Sequence, residues 1–132
     1  MKKFDFRKIS MALVETDRKV AKKLTAEQMK RIEKLVTKRM ILKLLPFLKA
    51  NNTVIYQHED EVDELDKEIK GWKNYEENKK IINEYAKACK YRYLISELMK
   101  VNRHFSNKKR QGAYREILMK NFPRGFIKSQ AK

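Results

Sequence analysis

Cations and aromatic rings alternate through the last third of this chain, a combination suited to gripping a phosphodiester backbone. "KYRY" (Lys90–Tyr93) sets two tyrosines around an arginine, and "RHFSNKKRQGAYR" (Arg103–Arg115) brings Lys and Arg close to Phe105 and Tyr114. "NFPRGFIK" adds Arg124 and Lys128 beside Phe126. In nucleic-acid grooves, cations follow phosphates and aromatic faces stack on unpaired bases. The candidate contacts are therefore Lys90, Arg92, Arg103, His104, Lys108, Lys109, Arg110, Arg115, Arg124, Phe126 and Lys128. His104 follows Arg103 directly, which suits a phosphate contact better than general-base work. Tyr91, Phe105 and Tyr114 also fit apolar helical stripes, so the core has a prior claim on those rings. Phe126 lies beyond the last expected helix, with no stripe to account for it.

Other chemistries find little support. No phosphate-binding glycine loop, HExxH or GxSxG occurs, and His58 and His104 are the only imidazoles. No enzyme activity and no cofactor are expected. His58 with Glu61 and Glu64 could suggest a metal site, but these residues lie along one helix with lysines close behind. Convergent ligands are what a hard cation needs, so no metal is expected. Cys89 alone can form no internal disulfide or multi-cysteine zinc site, and its helical spacing marks a buried small hydrophobe.

A helix-turn-helix could be drawn from "LTAEQMKRIEKLV", "RMILKLLPFLK" and "NNTVIYQHEDEVDEL". Its recognition helix would carry Glu59, Asp60, Glu61, Asp63 and Glu64 towards phosphate, so like charges argue against it.

The charge balance supports a polyanionic partner. Among 132 residues, 33 are Lys or Arg and 17 are Asp or Glu, a net charge of +16. A surplus of this size concentrates polyanions near the surface and repels other copies of the chain. The charge is also sorted along the chain: residues 1–58 carry +10, residues 59–77 carry −6 and residues 78–132 carry +12. The acidic block could lie on the protein's own basic face or on a second subunit. Lysines outnumber arginines 24 to 9. That favours point-charge contact with phosphates over the bidentate forks that read guanine. RNA and DNA are equally compatible.

The elements that must position these residues are helices. Three glycines and two prolines are too few for the turns of a sandwich or barrel. The expected fold is all-α, a compact bundle of four to five helices over residues 1–122, with residues 123–132 forming a basic C-terminal arm.

Periodicity gives a first helix over about 6–24, with Ile9, Leu13, Val20 and Leu24 on one face. Thr25 and Gln28 form a capping-box signature for a second helix, which Pro46 should end or kink near Leu44. "TVIYQ" (53–57) reads as an extended connector or the first turn of a third helix. That helix gathers its carboxylates near its start and buries Val62, Leu65, Ile69 and Trp72.

The fourth helix carries the clearest seam, Ile81, Tyr85, Ala88, Tyr91, Leu94, Leu98, Val101 and Phe105. Its spacing of about 3.5 residues resembles a coiled coil. Tyr91, Leu94, Leu98 and Val101 are thus candidates for contact with a protein partner or a second copy. A short helix from about Asn107 to Lys120 would bury Tyr114, Ile117 and Leu118.

No stretch approaches the length of a membrane span or resembles a signal peptide. A cytoplasmic or other reducing compartment is expected, including an organelle matrix or a nucleoprotein particle. The best functional expectation is a nucleic-acid-binding accessory or structural protein. The alternative is a small protein-binding regulator or inhibitor, viral or aimed at a polymerase or nuclease, acting through the 81–105 helix.

Overall fold

Apolar residues repeating every three or four positions produce helices throughout the residues described in the computed structural model, 6–48 and 52–122. Five helices follow in order: α1 (Phe6–Ala21), α2 (Ala26–Leu48), α3 (Asn52–Lys70), α4 (Tyr75–His104) and α5 (Lys108–Lys120). No strand occurs among the described residues. The all-α bundle is thus present, while the basic arm at 123–132 falls outside the described residues.

α1 buries Ile9, Ala12, Leu13, Thr16 and Val20 along one face. The buried Thr16 hydroxyl donates to the carbonyl of Ala12 at 3.0 Å, which allows a polar residue on that face. The capping box forms as its residues require. The Gln28 amide donates to Thr25 Oγ1 at 3.1 Å, and the Thr25 amide donates to Gln28 Oε1 at 3.0 Å. Gln28 Nε2 also donates to Asn74 Oδ1 at 3.0 Å, tying the start of α2 to the start of α4.

α2 runs through Pro46 to Leu48 instead of stopping near Leu44. Pro46 has no amide proton for the carbonyl one turn back, but neighbours outside α2 hold its last turn in place. Arg110 Nη2 donates to the Phe47 carbonyl at 3.4 Å, and Lys43 Nζ donates to Asn121 Oδ1 at 3.2 Å. α2 also spans both of the first two segments of the conceivable helix-turn-helix, which removes the turn that motif requires.

"TVIYQ" forms the beginning of α3, the second of its two expected conformations. α3 then lies antiparallel against α2 with Leu65 and Ile69 buried. Its carboxylates are partly spent on this packing. Glu61 meets Lys38 at 2.6 Å, Asp66 meets Arg39 at 3.1 Å and Glu68 meets Arg31 at 3.5 Å. The Lys38 hydrogen bond holds the Glu61 carboxyl below its usual range. Three carboxylates of the acidic block therefore meet cations of the protein's own α2. Glu59, Asp60, Asp63 and Glu64 remain exposed on the other side of α3.

α4 is the organising element. At 30 residues it is about 45 Å long, and α1, α2 and α5 all pack against it. This surrounding accounts for apolar positions off the seam, because Ile82 and Cys89 are buried together with Tyr85, Ala88, Tyr91, Leu94 and Val101. Burial pushes the Cys89 thiol up to about 12, as expected of an inert core cysteine.

α5 starts at Asn107, whose side chain accepts from the amides of Lys109 at 2.8 Å and Arg110 at 3.3 Å. Inside α5, a β-carbon added at Gly112 would meet nothing within 4 Å. Glycine inside a helix costs up to about 1 kcal/mol relative to alanine. Gly112→Ala is therefore expected to raise the melting temperature by a few degrees in a thermal unfolding scan.

Candidate nucleic-acid interface

The candidate cations divide into two groups once their partners are seen. Arg92 is half-buried, and Arg110, though exposed, has its guanidinium engaged by the chain itself. Arg92 Nη2 donates to Asp17 at 2.5 Å and to the Leu13 carbonyl at 3.3 Å, so it fastens α4 to α1. Arg110 caps the end of α2 through the Phe47 carbonyl and sits over the Phe105 ring, 4.9 Å from its centre. Lys90 is half-buried, and burial followed by the nearby charge of Lys43 holds its ammonium below the usual lysine range.

The second group faces solvent. Arg103, Lys108, Lys109 and Arg115 are exposed. Arg103, Lys108 and Lys109 sit at the joint where α4 ends and α5 begins. Arg115 reaches back to Asn102 Oδ1 at 3.4 Å, placing it beside the same joint. Lys100 and Lys120 are also exposed and extend the basic surface along both helices. Arg124, Phe126 and Lys128 lie outside the described residues.

A polar node centred on Glu97 ties α4 to α5 at this joint. Glu97 is only 9% exposed, yet its Oε2 accepts from the Tyr114 hydroxyl at 2.7 Å and lies 2.9 Å from His104 Nε2. A carboxylate cannot donate, so the imidazole carries a proton on Nε2. Burial, followed by the hydrogen bond to Glu97, raises the Tyr114 hydroxyl far above the ordinary phenol range and keeps it a donor. His104 therefore has one nitrogen committed to structure, which limits the phosphate role expected from its place beside Arg103. Phe47, His104 and Phe105 surround the Tyr114 ring at centroid distances of 6.3, 5.8 and 5.1 Å.

The candidate partner-binding residues occupy the chain's own core. Tyr91, Leu94 and Val101 are 2%, 0% and 1% exposed, and Leu98 is half-buried against the same cluster. In the single chain these candidates for partner contact are covered by α1, α2 and α5. Tyr91 instead meets Phe122 edge-on at 4.9 Å.

Sequence reasoning missed Glu97, the carboxylate that joins α4 to α5. Its signal was present: an acidic residue between Leu94 and Leu98 on a buried stripe, seven residues before His104 on the same face. Around His58, Glu61 is engaged by Lys38, and among the described residues no group of three or more His, Cys, Asp or Glu could hold a metal ion. No helix among the described residues is long and apolar enough to cross a membrane. In comparisons with protein-family models, curated proteins and solved structures, nothing matches this chain.

Proposed function

We propose that this protein binds nucleic acid, mainly through phosphates, as an accessory or structural component of a nucleoprotein assembly. One observation carries the reading: the way charge is sorted over the fold. Three of the nine carboxylates in the acidic block pair with cations of α2, and the acidic residues that stay exposed lie on α3 and the start of α4, away from the α4–α5 joint. Residues 85–122 carry ten Lys or Arg against only Glu97 and Glu116, and Glu97 is buried. The surface of α5 and the last turns of α4 is therefore strongly cationic. A cationic surface of six lysines and four arginines suits backbone contact, which fixes position without reading bases. The alternative, a protein partner taken up along residues 81–105, is weaker because that seam is occupied by the chain's own helices.

Salt dependence tests the proposal. Each phosphate neutralised on a duplex contributes about −0.9 to the slope of log affinity against log salt. With about four to six contacts, affinity should fall roughly 10²- to 10³-fold between about 50 and 200 mM salt. A fluorescence-anisotropy titration of the full chain reads this directly. Undetectable binding at low salt, or an affinity indifferent to salt, would overturn the proposal.

A further inference from the structure

Resting on that nucleic-acid reading, we infer that the preferred ligand is a duplex, gripped by its phosphates along the outer face of α5, and not an unpaired strand. Proteins that hold single strands present aromatic faces on which successive bases stack. Three of the rings interleaved with the cations here are turned inward. Tyr91, Phe105 and Tyr114 are 2%, 7% and 0% exposed, and the Arg110 guanidinium covers the Phe105 ring. Among the residues whose burial is described, no Phe, Tyr or Trp is exposed, with Tyr93 and Phe122 half-buried, and the one exposed ring at the joint, His104, is held by Glu97.

The outer face of α5 has the opposite character. Lys108 and Lys109 at its start, Arg115 beyond its middle and Lys120 at its end are all exposed. Lys120 meets Glu116 only at 3.5 Å, with both side chains about 70% exposed, so little holds it back from another anion. Between the cationic ends lie Gly112 and Ala113, also exposed, which add almost no height to the helix surface. α5 has 13 residues and is thus about 20 Å long. The major groove of B-form DNA is about 12 Å wide, so a helix lying across it sets cations on both backbones. Buried Tyr114 fixes the helix on α4, so the two ends keep their separation. This arrangement offers phosphate contacts at a set spacing and, among the residues whose burial is described, no exposed Phe, Tyr or Trp on which an unpaired base could stack.

The test compares the full chain with three probes carrying equal numbers of phosphates: a DNA duplex, an RNA duplex and an unstructured pyrimidine single strand. Binding to at least one duplex should be about tenfold or more tighter than to the single strand at about 50 mM salt, and the two duplex arms identify which helical form is preferred. The double variant Lys108→Glu/Lys109→Glu should lose that preference and lower the magnitude of the duplex salt slope by about 1.8. Acidic residues in the first turn suit the helix dipole, so this variant should keep its thermal unfolding midpoint and isolate the loss of binding. Equal or tighter binding to the single strand overturns the inference while leaving the nucleic-acid reading intact. A duplex preference unchanged in the double variant overturns the placement on α5. No binding to any probe sinks both readings.

Discussion

Tyr114→Ala should cost about 3–5 kcal/mol and detach α5 from the bundle. Tyr114 is fully buried, and its ring fills the space between Phe47, His104 and Phe105. Removing the ring opens a cavity that the long helix α4 and the last turn of α2 cannot close without moving. It also removes the hydroxyl from Glu97, a carboxylate with little access to water. Tyr114→Phe separates the two effects: it keeps the ring and should cost about 1–3 kcal/mol, the penalty of an under-satisfied buried acceptor. Adding Glu97→Leu to Tyr114→Phe should recover part of that loss, because no buried carboxylate is then left short of a donor and the exposed His104 can turn to water. Urea denaturation of the four proteins measures each term, and hydrogen exchange reports whether the α5 amides lose protection first. An unchanged denaturation midpoint for Tyr114→Ala would show that α5 is not anchored through this residue.

The anchoring of α5 also marks where the sequence stops being informative. Helix positions follow from local spacing, so Ile9, Leu13 and Val20, or Leu65 and Ile69, identify their buried faces without tertiary knowledge. The Thr25–Gln28 capping box is equally local, since both partners lie within one turn. Of the two outcomes Pro46 allowed, an end near Leu44 does not occur, and the contacts around the last turn of α2 come from Arg110 and Asn121, more than 60 residues away.

The same limit applies to the cations. Nothing within a few residues of Arg92 or Arg110 distinguishes a guanidinium engaged by the chain itself from one left to solvent. The deciding partners are Asp17 on α1 and the Phe47 carbonyl on α2. Arg103, Lys108 and Lys109 proved easier to place, because a helix end and a turn offer few ways to bury a charge. Glu97 lay between these cases: its position on an apolar stripe signals burial, while its partner Tyr114 becomes visible only when α5 folds back.

Leu94→Ala should destabilise the protein by about 2–5 kcal/mol, while Leu98→Ala should cost clearly less. The two leucines are one turn apart on α4 and look interchangeable in the sequence. Leu94 is completely buried, and Leu98 is only partly covered. If the seam were an open docking stripe, truncating either residue would leave folding almost unaffected and act only on a partner. A seam closed by the chain's own helices makes the opposite demand. Stability should fall in proportion to burial, and any ligand affinity lost in Leu94→Ala should return at temperatures where that variant stays folded. Denaturant midpoints for the two variants distinguish these cases, and a silent Leu94→Ala would reopen the docking-stripe reading. Because α1, α2 and α5 all rest on α4, loss of Leu94 also loosens the frame that spaces the α5 cations. A binding defect from a core variant therefore says little about where phosphates sit, whereas Lys108→Glu/Lys109→Glu changes the surface and leaves that frame in place.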